Sequence, residues 1–183
     1  MRVTILNGEP DPAAEFDAYV TAVANTLGTA GHPVTRLDLR DLGLRNCSGC
    51  FGCWVKTPGE CVQGEAPAAV CRAAIDADLV IFASPLLMGF TSALLKRACD
   101  HMIPLLHPYF TIEGREMHHV ARYDRYPLFA LLLGPESDTD AEDVEITEAL
   151  LSRMARNMKS KLVFTAVADR SAEEVAHGIA AAA

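Results

Sequence analysis

The chain has 183 residues, half of them apolar, and a formal net charge of −8 at pH 7. That length suits one domain over residues 1–183, because single cores split only beyond about 250–300 residues. The acidic balance argues against a nucleic-acid partner, which needs clustered Lys and Arg, and no apolar run approaches the ~18 residues of a membrane span.

Met1-Arg2-Val3-Thr4-Ile5 runs straight into a strand pattern instead of a signal sequence, so the expected location is cytoplasmic. In a reducing compartment the six cysteines are better read as metal ligands, redox groups or core residues than as a disulfide framework. Arg2 to Leu6 reads as a first strand, and Asn7-Gly8-Glu9-Pro10-Asp11-Pro12 as a turn. The helix that follows carries Phe16, Val20, Val23 and Leu27 on one face, with Gly28 and Gly31 available to end it. Asp11 is placed to cap this helix, with Pro12 at its first position. Pro33 to Leu39 is a second strand, which completes a right-handed βαβ unit.

A cysteine loop over 46–64 then interrupts the alternation, and Pro67 to Asp76 is a short Ala-rich helix. The stretch from Asp78 to Gly89 organises the rest. Leu79 to Ala83 is continuously apolar, as a central parallel strand covered on both faces requires. Ser84-Pro85 stops it, Gly89 permits close backbone approach, and Thr91 or Ser92 caps the next helix, Thr91 to Leu106, which Pro104 ends or kinks. Residues 107–127 fit neither periodicity and read as an insertion rich in His, Arg and Tyr, suited to an anionic cofactor phosphate, to a partner subunit, or to packing on its own chain. Leu128 to Gly134 is the next buried strand. Thr139-Asp140-Ala141-Glu142 has capping-box spacing at the start of a dipole-matched helix, and Lys161 to Val167 and Ser171 to Ala180 close the chain as strand and helix. Alternating β and α predicts a three-layer α/β/α sandwich on a five-stranded parallel sheet of order 2-1-3-4-5, with a flat ligand in the crevice beyond the strand ends.

Cys47, Cys50 and Cys53 fall three apart, Cys61 eight further on, and Gly49 and Gly52 let the backbone fold tightly between them. That spacing suits the thiolates of a cubane 4Fe–4S cluster and resembles the run in ferredoxins. Zinc sites usually pair two separated Cys-x-x-Cys knuckles, and an unligated loop with Phe51 and Trp54 packed near a bound ring also accounts for the residues. Cys71 and Cys99 occupy apolar helix positions and read as core.

The opening strand with Asn7-Gly8-Glu9-Pro10, the run from Cys47 to Trp54 with Cys61, the turn from Ser84 to Gly89, and Ser92-Ala93-Leu94-Leu95-Lys96 with Asp100 resemble the flavodoxin-like NAD(P)H-dependent FMN reductases, in the branch that includes the iron–sulfur flavoproteins. The resemblance implies a flavodoxin-like fold, FMN at the strand ends, NAD(P)H as co-substrate and a homodimer or homotetramer. Carried onto this chain, it places the ring against Ser84, Pro85, Leu86, Leu87, Met88 and Gly89 and the phosphate at the turn containing Gly8 and Pro10, with no catalytic acid or base because the flavin supplies the chemistry. The chain departs from the family's Gly-Ser-Pro-Arg turn at Glu9 and Asp11, with Glu15 and Asp17 close behind. Like charges beside a phosphate weaken its binding. The expected function is electron transfer from NAD(P)H through FMN to a small acceptor such as flavin, quinone or another electrophile. Two alternatives stay open: an electron carrier holding an iron–sulfur cluster, and a flavin-free binding protein.

Overall fold

Five apolar stretches pair into one parallel sheet in the computed structural model, which describes residues 1–183. The elements are β1 (Val3–Asn7), α1 (Glu15–Thr29), β2 (Val34–Asp38), α2 (Gly52–Val55), α3 (Glu65–Asp76), β3 (Leu79–Leu87), β4 (Phe90–Thr91), α4 (Ala93–Asp100), β5 (Leu106–Glu113), β6 (Glu116–Ala121), β7 (Leu128–Gly134), α5 (Ala141–Asn157), β8 (Leu162–Val167) and α6 (Ala172–Ala182). The parallel strands run β2-β1-β3-β7-β8, the expected 2-1-3-4-5 order. Alternation along β3 sends Leu79, Ile81 and Ala83 to one face, where they meet Val20, Val23 and Leu27 of α1 and Val175 and Ile179 of α6. Val80 and Phe82 face the other way, toward Val70 of α3, Leu95 and Ala98 of α4 and Leu151 and Ala155 of α5. Phe82 also meets Phe129 edge-on at 4.7 Å. Each layer is thus a helix pair or trio laid on one side of the pleat.

Five local expectations are corrected. Strand β3 does not stop at Ser84-Pro85 but runs to Leu87 and turns back through Met88 (φ 55°) and Gly89 (φ 75°) into the antiparallel β4. Pro85 is tolerated because β1 pairs with β3 only as far as Ala83. Its ring nitrogen points to that vacated side, where no ladder donor is needed. Asp11 does not cap α1: the helix begins at Glu15 behind Ala14, and the Asp11 carboxylate accepts the Ala13 N–H at 2.9 Å within the turn.

The helix expected through Leu106 ends at Asp100, and Pro104 sits in a separate 3-10 turn, Ile103–Leu105. The insertion at 107–127 lies largely in a β-hairpin, β5 and β6, turned by Gly114 (φ 65°) and docked on α5 through ion pairs from Arg153 and Arg156 to Glu116. Its register shifts between Leu106 and Phe110, which broke the two-residue alternation that would have marked it as strand. The α5 capping box is also one residue later than expected, between Asp140 and Asp143. Thr139 instead accepts the Glu136 N–H at 2.8 Å. No helix is long and apolar enough to cross a membrane.

Candidate functional site

A crevice of about 410 Å³ opens beyond the carboxyl ends of the parallel strands. It is bounded by Glu9 after β1, Pro85 to Leu87 at the end of β3, Gly134 to Glu136 after β7 and Ala168 after β8, with Phe16 and Tyr19 of α1 closing one side. Position follows from topology: strand order reverses between β1 and β3, so their outgoing connections diverge and leave a gap.

Three of the turns around this gap are tied together by two buried serines. The Ser84 hydroxyl accepts the Ser92 N–H at 2.8 Å. Ser92 in turn donates to the Gly8 carbonyl at 2.6 Å and caps α4 by accepting from Leu95 N–H at 3.2 Å. Gly8 is obligatory here, since a Cβ would fall 2.8 Å from Ser92 Oγ and 2.9 Å from Leu95 Cβ, and its own N–H is taken by the Ala83 carbonyl. Ser84 and Gly8, expected to face a ligand, therefore build the floor of the site, and Ser92, read from sequence only as a cap, is its central tie.

The turn between β1 and α1 is filled by its own carboxylates. Glu9 is 5% exposed, its N–H donates to Asn7 Oδ1 at 3.2 Å, and its Oε1 accepts the Asp11 N–H at 2.9 Å. Pro10 and Pro12 have no N–H to offer, and Pro10 is exposed. Beneath the turn, Asn7 reaches both Asp17 and Asp38, and Arg36 and Arg40 bridge the same two carboxylates. Arg40 also donates to the Glu9 carbonyl at 3.0 Å. Burial pushes the Asp17 carboxyl up, but hydrogen bonds from Arg36, Arg40 and Asn7 outweigh it and hold the group below its ordinary value.

On the far side, Leu86 is buried while Leu87 is 43% and Met88 97% exposed. The Met88 N–H donates to Glu136 Oε2 at 2.8 Å. A Cβ on Gly89 would meet Asp143 Oδ1 at 2.5 Å. Glu136 and Asp143 were not expected at this end. A topological cue existed, because the loop after the fourth parallel strand always borders such a crevice.

The four loop cysteines line a second cleft, of about 520 Å³, between the cysteine loop, α4, the hairpin and α5. Cys47 and Cys50 are exposed, Cys53 is buried and Cys61 half-buried. No three His, Cys, Asp or Glu side chains converge on one point as a metal would require. Cys50 Sγ accepts the Gly52 N–H at 3.5 Å, and Cys61 Sγ lies 3.7 Å from His101 Nδ1, whose Nε2 meets the Arg45 carbonyl at 2.8 Å. The four thiols share a cleft, but in this arrangement they do not fit a cubane cluster. Phe51 and Trp54 pack away from the strand-end crevice: Trp54 stacks on Phe51, touches His119 and donates to the Leu106 carbonyl at 2.9 Å, stapling the loop to the hairpin. Within the 107–127 segment, Arg122 and Tyr126 bond the carbonyls of Pro104, Leu106 and Leu105, and Arg125 pairs with Asp78. These side chains pack on their own chain, the third of the expected uses.

Residues 1–120 match the model of a family described as NADPH-dependent FMN reductase. The chain belongs to this family. The match takes in the acidic turn, the cysteine loop and the β3–β4 turn. An iron–sulfur flavoprotein of Archaeoglobus fulgidus is 28% identical over 107 residues, 58% of this chain and 48% of that one. A second iron–sulfur flavoprotein, from Methanocaldococcus jannaschii, is 30% identical over 105 residues, 57% and 53% respectively. The chain spans about half the length of the curated relatives it matches. Among solved structures, an NAD(P)H:quinone oxidoreductase from Methanothermobacter marburgensis superposes with a TM-score of 0.69 at 18% identity, covering 100% of this chain and 97% of that one. That likeness confirms the flavodoxin-like fold.

The family's flavin can be tested against these residues end by end. The ring end fits: Pro85, Leu87, Phe16 and Pro135 supply apolar lining to the crevice. The phosphate end does not, because the Asp11 and Ala13 amides are already held by Glu9 and Asp11, and neither Lys nor Arg lines the crevice.

Proposed function

We propose that this protein is an NAD(P)H-dependent flavin oxidoreductase, with FMN as its family's flavin, that passes electrons to a small acceptor such as free flavin, a quinone or another electrophile. The observation that carries the reading is the family match over 1–120 together with a crevice at the strand ends, one side of which is formed by Pro85 to Leu87. A bound flavin would take hydride from the nicotinamide and release electrons to the acceptor. The chain's own part is to bind and orient. Pro85 and Leu87 give an apolar ledge, the Met88 amide supplies a donor once Glu136 is displaced, and the buried Ser84–Ser92–Gly8 tie keeps the turns in fixed relation. No acid or base from the protein is required. A homo-oligomer belongs to the same proposal, supported by Tyr109, Phe110, Ile112 and Met117 of the hairpin, all more than half exposed.

The test is an anaerobic visible spectrum of the purified protein, or of protein supplied with flavin, followed by NADPH addition. Bleaching of the flavin bands on adding the nicotinamide supports the reading; a protein that takes up no flavin rules it out.

A second reading, an electron carrier with an iron–sulfur cluster on Cys47, Cys50, Cys53 and Cys61, is supported by their sharing one cleft and by the descriptions of the curated relatives. It requires the loop to close on the cluster. Iron and acid-labile sulfide lost in Cys50→Ser would establish it, and iron-free wild-type protein after anaerobic preparation would dismiss it.

A further inference from the structure

Resting on the reading of the strand-end crevice as a flavin site, we propose that it selects flavin lacking the terminal phosphate, and that Glu9 sets this selectivity. The amides at the start of a helix are where a phosphate dianion would be held. In this chain α1 begins only at Glu15, and carboxylates already take two amides of the turn that leads into it, the Asp11 N–H by Glu9 and the Ala13 N–H by Asp11. Glu9 is 5% exposed, and its Oε1 lies 2.9 Å from the Asp11 nitrogen. Its backbone is pinned on both sides, by Asn7 Oδ1 on the N–H at 3.2 Å and by Arg40 on the carbonyl at 3.0 Å. Glu9 thus enters the crevice from a fixed backbone, with its side chain held by the Asp11 N–H.

The charge around it is not compensated. Arg36 and Arg40, the cations behind the turn, are both held by Asp17 and Asp38. Glu15 and Glu136 face the same crevice, and no cation does. A dianion brought within a few Å of these groups is repelled and must also displace Glu9 from the Asp11 amide. A ribityl chain ending in a hydroxyl meets the same groups differently: its O–H donates to a carboxylate, a charge-assisted hydrogen bond. The ring end is indifferent to the change, since Pro85, Leu86 and Leu87 lie at the other side of the crevice. The turn thus converts a phosphate seat into a hydroxyl seat, and riboflavin becomes the preferred ligand over FMN.

Equilibrium titration of riboflavin and of FMN at low ionic strength, followed by quenching of flavin fluorescence, tests this on wild type, Glu9→Gln and Glu136→Gln. Glutamine at position 9 keeps an oxygen for the Asp11 N–H and removes only the charge. Wild type is expected to bind riboflavin about tenfold or more tighter than FMN; Glu9→Gln should tighten FMN by about tenfold with riboflavin changed less than about twofold. Glu136→Gln, exposed on the opposite wall, should move the ratio in the same direction by a smaller factor. FMN bound more tightly than riboflavin by wild type, or a ratio unmoved in both variants, overturns the selectivity and leaves the flavin site standing. Binding of neither flavin by wild type overturns both.

Discussion

Asp17 is the residue on which the crevice's rear wall depends, since Arg36, Arg40 and Asn7 all bond its carboxylate. Its folded-state pKa lies below the ordinary 3.8. The stability it contributes is fully present above that value and is lost as pH falls through the lower, folded-state one. Asp17→Asn should therefore flatten the acid limb of the stability curve while costing about 3 kcal/mol at neutral pH, because two half-buried guanidiniums lose a partner. Urea midpoints at neutral and acid pH measure both. Ser92→Ala removes a helix cap and leaves the buried Gly8 carbonyl unsatisfied, an expected loss of about 2–3 kcal/mol, read from the same unfolding curves. The acidic residues of the first turn were legible in the sequence as a departure from the family pattern. Where each carboxylate goes was not, because Glu9 and Asp11 each had several amides within reach and tertiary packing chose among them.

At the scale of elements, the β5–β6 hairpin is secured by Trp54 from one side and by α5 from the other. Trp54 is the only tryptophan, so its fluorescence reports this junction directly. Trp54→Ala should destabilise the protein by about 3 kcal/mol and open the hairpin selectively, seen as faster amide exchange in 106–121 than in the central sheet. The β3–β4 turn makes a second case. Gly89→Ala combines a left-handed φ of 75° with a contact on Asp143, and an expected cost of about 1–2 kcal/mol should appear in thermal unfolding together with weaker flavin uptake. The helices and parallel strands were readable from apolar spacing because each buries one face or both. The hairpin was not, since its irregular register between Leu106 and Phe110 erased the two-residue period.

Across the whole molecule, the cysteines divide by depth. Burial pushes the Cys71 thiol up to about 12, whereas Cys50 is lowered, first by the Gly52 N–H on its sulfur. Alkylation of the native protein at neutral pH should modify Cys50 readily and Cys71 only after unfolding; mass mapping of labelled peptides checks the order. Labelling of Cys71 at the native-state rate of Cys50 would contradict the packing described around β3 and α3.

The sequence by itself determined the alternation of strands and helices, the strand order, and the place of the crevice, because apolar periodicity and the right-handed crossover rule are local or topological constraints that admit few solutions. It also marked the family through the Ser84 to Gly89 turn and the acidic residues that set this chain apart. Only the tertiary structure decided that Pro85 lies inside a strand, that Ser84 and Gly8 are buried and joined through Ser92, that the four loop cysteines do not converge, and that Glu9 sits on the Asp11 amide. Each of these depends on what a distant segment does to a backbone N–H or a sulfur, and such pairings are settled by packing in three dimensions, not by spacing along the chain.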